Sequence, residues 1–156
     1  QQAVAIAKQS GHEVALSLSD SFCVERHHAA FLSLASSDAD IIIGNEAEMT
    51  NLFEVDNFAD AVSAAKANGR LFVMTRSEKG SVLVMGDTVV EQQADAISAI
   101  VDSTGAGDAY VAGFLYAYAN GDSLAAAATL GTRCATLAIQ QVGARPKPSD
   151  LKALLA

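Results

Sequence analysis

Asp102-Ser103-Thr104-Gly105-Ala106-Gly107-Asp108 is the stretch from which the rest of the chain is read. It follows the apolar run Ala99-Ile100-Val101 and precedes a helical pattern that starts at Ala109. Gly105 and Gly107, on either side of Ala106, keep side chains away from the backbone. Peptide N–H groups can then converge at a helix start, where the macrodipole supplies roughly half a positive charge. Such a loop accepts an anion, and two carboxylates, Asp102 and Asp108, bracket it. A plainer reading of the same residues stands beside this one. Asp is among the preferred N-cap residues, and the glycines suit a turn with positive φ.

Outward from the loop, the apolar pattern alternates between strand and helix. Upstream, residues 81–85 and 88–91 are separated by Gly86-Asp87, which reads as a β-hairpin. Before it, the run 71–74 is a strand that delivers Thr75-Arg76 to its carboxyl end. The helical pattern 58–67 stops at Asn68-Gly69. Asp40-Ile41-Ile42-Ile43-Gly44 has the β-branched, fully apolar character of a buried parallel strand, and Asn45-Glu46-Ala47-Glu48 opens a helix directly after it. Further back, residues 14–18 read as a buried strand. A helix then follows, capped by Ser19-Asp20-Ser21, with Phe22, Val24, Phe31, Leu32 and Leu34 on its apolar face. His27 and His28 sit on that helix about 100° apart, too far around to share a metal easily. Residues 2–9 form a helix with Ala3, Val4, Ile6 and Ala7 at helical spacing, closed by Gly11.

Downstream of the loop, Val111, Phe114, Leu115 and Tyr118 define one face of a helix ending near Asn120-Gly121. Asp122 is placed to cap the next, whose inward residues are Leu124, Ala127, Ala128, Leu130, Cys134, Leu137 and Ala138, with Gly143 at its end. Pro146 and Pro148 make a turn, and Ser149-Asp150 caps a short last helix. The alternation predicts an α/β fold: a parallel sheet with helices on both faces, and a β-hairpin. No repeat or linker divides the 156 residues, so one domain is expected.

Hydrophobic residues make up 51% of the chain and charged ones only 18%, which argues for a packed core against disorder. The net charge of −8 argues against nucleic acid as a partner, because phosphate neutralisation needs clustered Lys and Arg. No apolar run is long enough to span a bilayer, and the first residues carry no signal-peptide pattern. A cytoplasmic location with no membrane partner is expected. Cys23 and Cys134 have no metal-ligand spacing and are expected to be reduced and buried.

The 102–108 string closely resembles the D-T-x-G-A-G-D signature of the ribokinase-like (phosphofructokinase-B) family of sugar and nucleoside kinases. Two other segments resemble the family in matching order. One is the N-x-x-E segment from Asn45 to Glu48; the other is the T-R-x-x-x-G segment from Thr75 to Gly80, with Ser77 where glycine is commonest. The resemblance implies transfer of the γ-phosphoryl group of ATP to a hydroxymethyl group of a sugar or nucleoside. It implies Asp108 as catalytic base and Gly105, Ala106 and Gly107 as the anion hole, with Asp102 and Thr104 supporting the loop. Asp108, near a helix N-terminus, would then be a weak base. Asn45 and Glu48 would serve Mg²⁺ and phosphate, Glu48 as the metal-side carboxylate acting through water, or else as an exposed helix-start acid. Thr75 and Gly80 would lie near the nucleotide phosphates.

Gly131, Cys134 and Ala135 would let a purine lie flat, although a packed helix interface explains them equally well. The family also admits a monovalent cation such as K⁺ and a homo-oligomer. Residues 16–27 resemble bacterial members labelled adenosine kinase, with ribose and fructose still open as acceptors. Nothing here corresponds to the family's amino-terminal portion and lid. The chain is therefore expected to be the carboxyl-terminal, nucleotide-binding part, partnered by the missing portion and inactive alone. A dinucleotide-binding Rossmann domain is a poorer match, since Gly105-x-Gly107 comes late and lacks a third glycine. A non-catalytic nucleotide-binding or scaffold remnant of the same fold is the competing reading.

Overall fold

The computed structural model describes residues 2–155. In chain order the elements are α1 (Gln2–Gln9), β1 (Ala15–Ser17), α2 (Ser21–Arg26), α3 (His28–Ser33), β2 (Ile41–Asn45), α4 (Glu46–Phe53), α5 (Phe58–Asn68), β3 (Leu71–Thr75), β4 (Ser81–Met85), β5 (Thr88–Gln92), α6 (Ala106–Ala119), α7 (Leu124–Ile139) and α8 (Pro148–Leu154). The fold is mixed α/β around a five-stranded sheet of order β1-β2-β3-β4-β5. β1, β2 and β3 run parallel, with Ala15 opposite Ile41 and Ile41 opposite Leu71. The two-residue link Gly86-Asp87 joins β4 to β5 as a hairpin, with Gly86 at φ +55°.

The chain separates into two compact units. Among the described residues, one comprises 2–76 with 82–89; the other comprises 77–81 with 90–155. Because the chain crosses between them inside β4 and β5, no composition shift marks the boundary.

In the first unit, Leu18, Val24, Ile42, Met49, Leu52, Phe72, Met74 and Val84 form the core, joined by Ala61 and Ala65 of α5. The isoleucine run of β2 is buried throughout, as strands covered on both faces require. β1 departs from expectation: it is short and largely exposed, because it is the outer strand of the sheet and only Leu18 beyond it enters the core. Ile6 and Phe22 are also exposed rather than packed. The helix expected through residues 20–34 is broken. α2 stops at His27, α3 follows, and a wide turn over Leu34–Asp38 closes with Ala39 N–H on the Leu34 carbonyl at 2.8 Å. His28 is half-buried, with Nε2 2.9 Å from the Leu52 carbonyl at the end of α4. Cys23 is exposed, against expectation; Cys134 is buried, and both are free thiols. Asp40 gathers several elements: it accepts from Lys8 Nζ at 2.6 Å, the Val14 amide at 2.8 Å and Arg70 at 3.4 Å. These bonds, Lys8 first, hold its carboxyl below the usual range.

In the second unit, α6 and α7 pack along their length. The buried face of α6 is Tyr110, Gly113, Phe114 and Ala117, turned from the face expected around Val111 and Leu115 because glycine at 113 admits close helix approach. The N-cap of α7 is Ser123, not Asp122: its hydroxyl accepts from the Ala126 amide. α7 ends at Ile139, short of Gly143. Residues 97–101 form no strand, and Ile100 and Val101 are exposed. α8 begins with Pro148 after Lys147 as N-cap, so Ser149-Asp150 lies inside its first turn.

Candidate active site

The 102–108 loop is built by its own hydrogen bonds. Asp102 Oδ1 accepts the Thr104 amide at 2.9 Å, and Oδ2 accepts the Gly143 amide at 2.9 Å. The Thr104 side chain, followed by the Gly143 and Thr104 amides, holds the Asp102 pKa down to about 2. One carboxylate thus ties the start of the loop to the turn beyond α7. Gly105 is the N-cap of α6 at φ +78°. A side chain there would be strained, and a Cβ would meet the Ala144 carbonyl at 2.5 Å.

The amide of Ala106 is already taken by the Ser103 carbonyl at 3.2 Å, and that of Ala109 by Gly105 at 2.9 Å. Ala106 is therefore not a free donor. Among the described residues, the amides of Gly105, Gly107 and Asp108 have no backbone acceptor. Gly107 is helical, exposed and surrounded by open space, with nothing within 4 Å of an added Cβ. Asp108 is exposed in the first turn of α6, and Gly105 occupies the cap, so Asp108 is not an N-cap residue.

At the carboxyl ends of β2 and β3, the register places Asn45 opposite Thr75. Asn45 caps α4 in a reciprocal box: its Oδ1 accepts the Glu48 amide at 2.9 Å. Glu48 Oε2 accepts the Asn45 amide at 2.9 Å, and Oε1 accepts Asn45 Nδ2 at 2.7 Å. Glu48 is 5% exposed, so it is not a solvated helix-start acid. Burial pushes its carboxyl above the usual range against the Asn45 bond, and the Asp20 charge adds to the rise. Gly44 clears room for it: a Cβ there would meet Glu48 Oε2 at 2.8 Å and Leu18 at 2.9 Å. Arg76, beside Thr75, pairs with Glu46 at 2.9 Å and lies 3.8 Å over the Phe58 ring, which anchors the end of β3.

In the loop that follows, Ser77 adopts φ +52°, the conformation glycine favours, so the substitution leaves a left-handed backbone there. Gly80 cannot carry a side chain, since a Cβ would lie 1.9 Å from the Gln92 carbonyl.

Cys134 lies on the buried face of α7. It is 6% exposed, with Sγ against the Cα of Gly113, and Gly131 is filled from above by Tyr110. These small residues pack the α6–α7 interface. Sequence reasoning missed Tyr110, whose hydroxyl donates to Ser81 Oγ at 2.7 Å, and the Gly143-Ala144 turn against the loop. A polar aromatic two residues after Asp108 was the available signal for the first. The second had none, because it depends on where α7 ends.

Among the described residues no group of three or more His, Cys, Asp and Glu could hold a metal. Both Glu48 oxygens are engaged, and those of Asp102 accept from Thr104 and Gly143.

A model of the pfkB family of carbohydrate kinases matches residues 1–150. The chain belongs to that family. This pfkB chain is similar to the adenosine kinase from Sinorhizobium meliloti, with 41% identity and a TM-score of 0.93 over 97% of this chain and 47% of that one. It is also similar to a probable sugar kinase from Rhizobium etli, at 39% identity and a TM-score of 0.93, covering 97% and 46% of the two chains. A nucleoside kinase of Methanocaldococcus jannaschii is 33% identical over 91 residues, 58% of this chain and 28% of that protein. The pfkB chain therefore spans less than half the length of these relatives. No helix of the described residues is long and apolar enough to cross a membrane.

Proposed function

We propose that the chain supplies the phosphate-handling part of an ATP-dependent kinase acting on the hydroxymethyl group of a sugar or nucleoside. The observation that carries this reading is Gly107. An exposed helical glycine costs stability relative to alanine, and no neighbour among the described residues requires it here. Its absent side chain keeps the backbone open to approach from outside, beside unpaired amides and the exposed Asp108. The family membership supports reading the approaching group as a transferring phosphoryl, and the likeness to adenosine and sugar kinases supports the acceptor class.

In this reading the acceptor hydroxyl oxygen forms a bond to the γ-phosphorus of ATP, the bond to the β–γ bridging oxygen breaks, and ADP leaves. The hydroxyl proton passes to a carboxylate oxygen of Asp108. Because phosphoryl transfer is largely loose, Asp108 orients the hydroxyl more than it activates it. The Gly107 and Asp108 amides face the charge that spreads over the phosphoryl oxygens. Asp102 and Thr104 keep the loop in shape, while Asn45, Thr75 and Gly80 border the nucleotide. Glu48 would be the carboxylate on the metal side, reaching through water a Mg²⁺ that would accompany ATP and supply charge neutralisation of the triphosphate.

In the intact protein, Asp108→Asn should lower turnover of ribose, fructose or adenosine by roughly 10²–10⁴-fold, with ATP affinity retained by calorimetry. Turnover near the wild-type rate would overturn the assignment.

A further inference from the structure

Tyr110 sits on the turn of α6 that follows Asp108, and its ring and hydroxyl reach away from the helix into the second unit. The hydroxyl donates to Ser81 Oγ at 2.7 Å, with Tyr110 only 4% and Ser81 1% exposed. Ser81 directly follows Gly80, the residue that closes the Thr75–Gly80 segment.

A phenylalanine over an alanine would fill this space with no polar groups to bury, and a buried hydroxyl pair gains little net stability over such a pair. What the hydroxyl pair adds is direction, since it sets one separation and one orientation between α6 and the start of β4. Each partner is held from a second side. Gly131 of α7 abuts Tyr110, where a Cβ would come 2.9 Å from the Tyr110 carbonyl and 3.2 Å from the ring. Gly80 abuts the Gln92 carbonyl, and the Gln92 side chain accepts from Thr129 of α7 at 2.9 Å. Tyr110 is thus packed against α7, and Ser81 follows a residue packed against the Gln92 backbone. Burial carries the phenol to a pKa of about 12, so it remains a donor at every working pH.

We propose that Tyr110 is a positioning residue for phosphoryl transfer: through Ser81 it sets the place of Gly80 relative to the Gly107–Asp108 turn. This rests on the kinase reading above, in which Gly80 borders the nucleotide and Asp108 meets the acceptor. A positional error at a reacting centre is costly even when binding survives.

The test uses the intact protein, with turnover of ribose, fructose and adenosine at a temperature well below unfolding. Tyr110→Phe should lower kcat about tenfold with little change in the KM of the acceptor. Ser81→Ala should do the same, and the double variant should be no slower than either alone. Phe114→Leu, a core change on the same helix away from Ser81, should lower Tm while leaving kcat in place. Wild-type kcat in Tyr110→Phe, or losses that multiply in the double variant, would overturn the positioning role alone. A wild-type protein that phosphorylates none of the acceptors would overturn the kinase reading and this inference with it.

Discussion

Gly105 and Gly107 stand two residues apart and answer to different constraints. Gly105 is required by the chain itself, through φ +78° and the Ala144 carbonyl at 2.5 Å. Gly107 is required by nothing within the described residues. Gly105→Ala should therefore cost about 1–3 kcal/mol of stability in urea unfolding. Gly107→Ala should gain up to about 1 kcal/mol while weakening ATP binding by calorimetry. Opposite signs at neighbouring glycines would separate a folding role from a functional one.

Asp102 belongs to the same scale. Its folded pKa of about 2 lies below the ordinary 3.8, so between those values the unfolded chain binds more protons. The stability it contributes is complete above about pH 4 and disappears as pH falls toward 2. Thermal unfolding across pH 2–5 should show a shallower acid limb in Asp102→Asn than in the wild type, with Asp40 supplying most of what remains.

Among the elements, α6 and α7 show how small residues become structure. Gly113 faces Cys134 Sγ at 2.7 Å and the Leu130 carbonyl at 2.8 Å from an added Cβ, so the two helices touch almost backbone to backbone. Gly113→Ala should then destabilise by about 1–3 kcal/mol through overpacking, read in chemical denaturation, although alanine is the better helix former. α4 is held differently. Its amino end carries the reciprocal Asn45–Glu48 box, and its carboxyl end offers the Leu52 carbonyl to His28. The Asn45–Glu48 pair that resembles a phosphate-handling motif is thus also the cap that starts the helix, and either role by itself would account for those residue types.

For the whole molecule, the comparisons set the scale, since the chain spans 47% of the Sinorhizobium meliloti adenosine kinase it resembles at a TM-score of 0.93. A preparation confined to these 156 residues should bind ATP with Mg²⁺ yet yield no appreciable phosphorylated sugar or nucleoside, measured by coupled ADP release. Efficient turnover would show that these residues suffice.

Strand and helix order was legible from the chain alone because it depends on local periodicity. The isoleucine run of β2, the Asn68-Gly69 stop and the Gly86-Asp87 turn each act through neighbours along the chain. The 102–108 loop was legible for the same reason, with its glycines and carboxylates contiguous in the chain. Tertiary structure alone decided the exposure of β1, the burial of Glu48, the packing of Cys134 against Gly113, and the bond from Tyr110 to Ser81. Those outcomes depend on which atoms meet across long stretches of chain, and spacing in sequence carries no record of that.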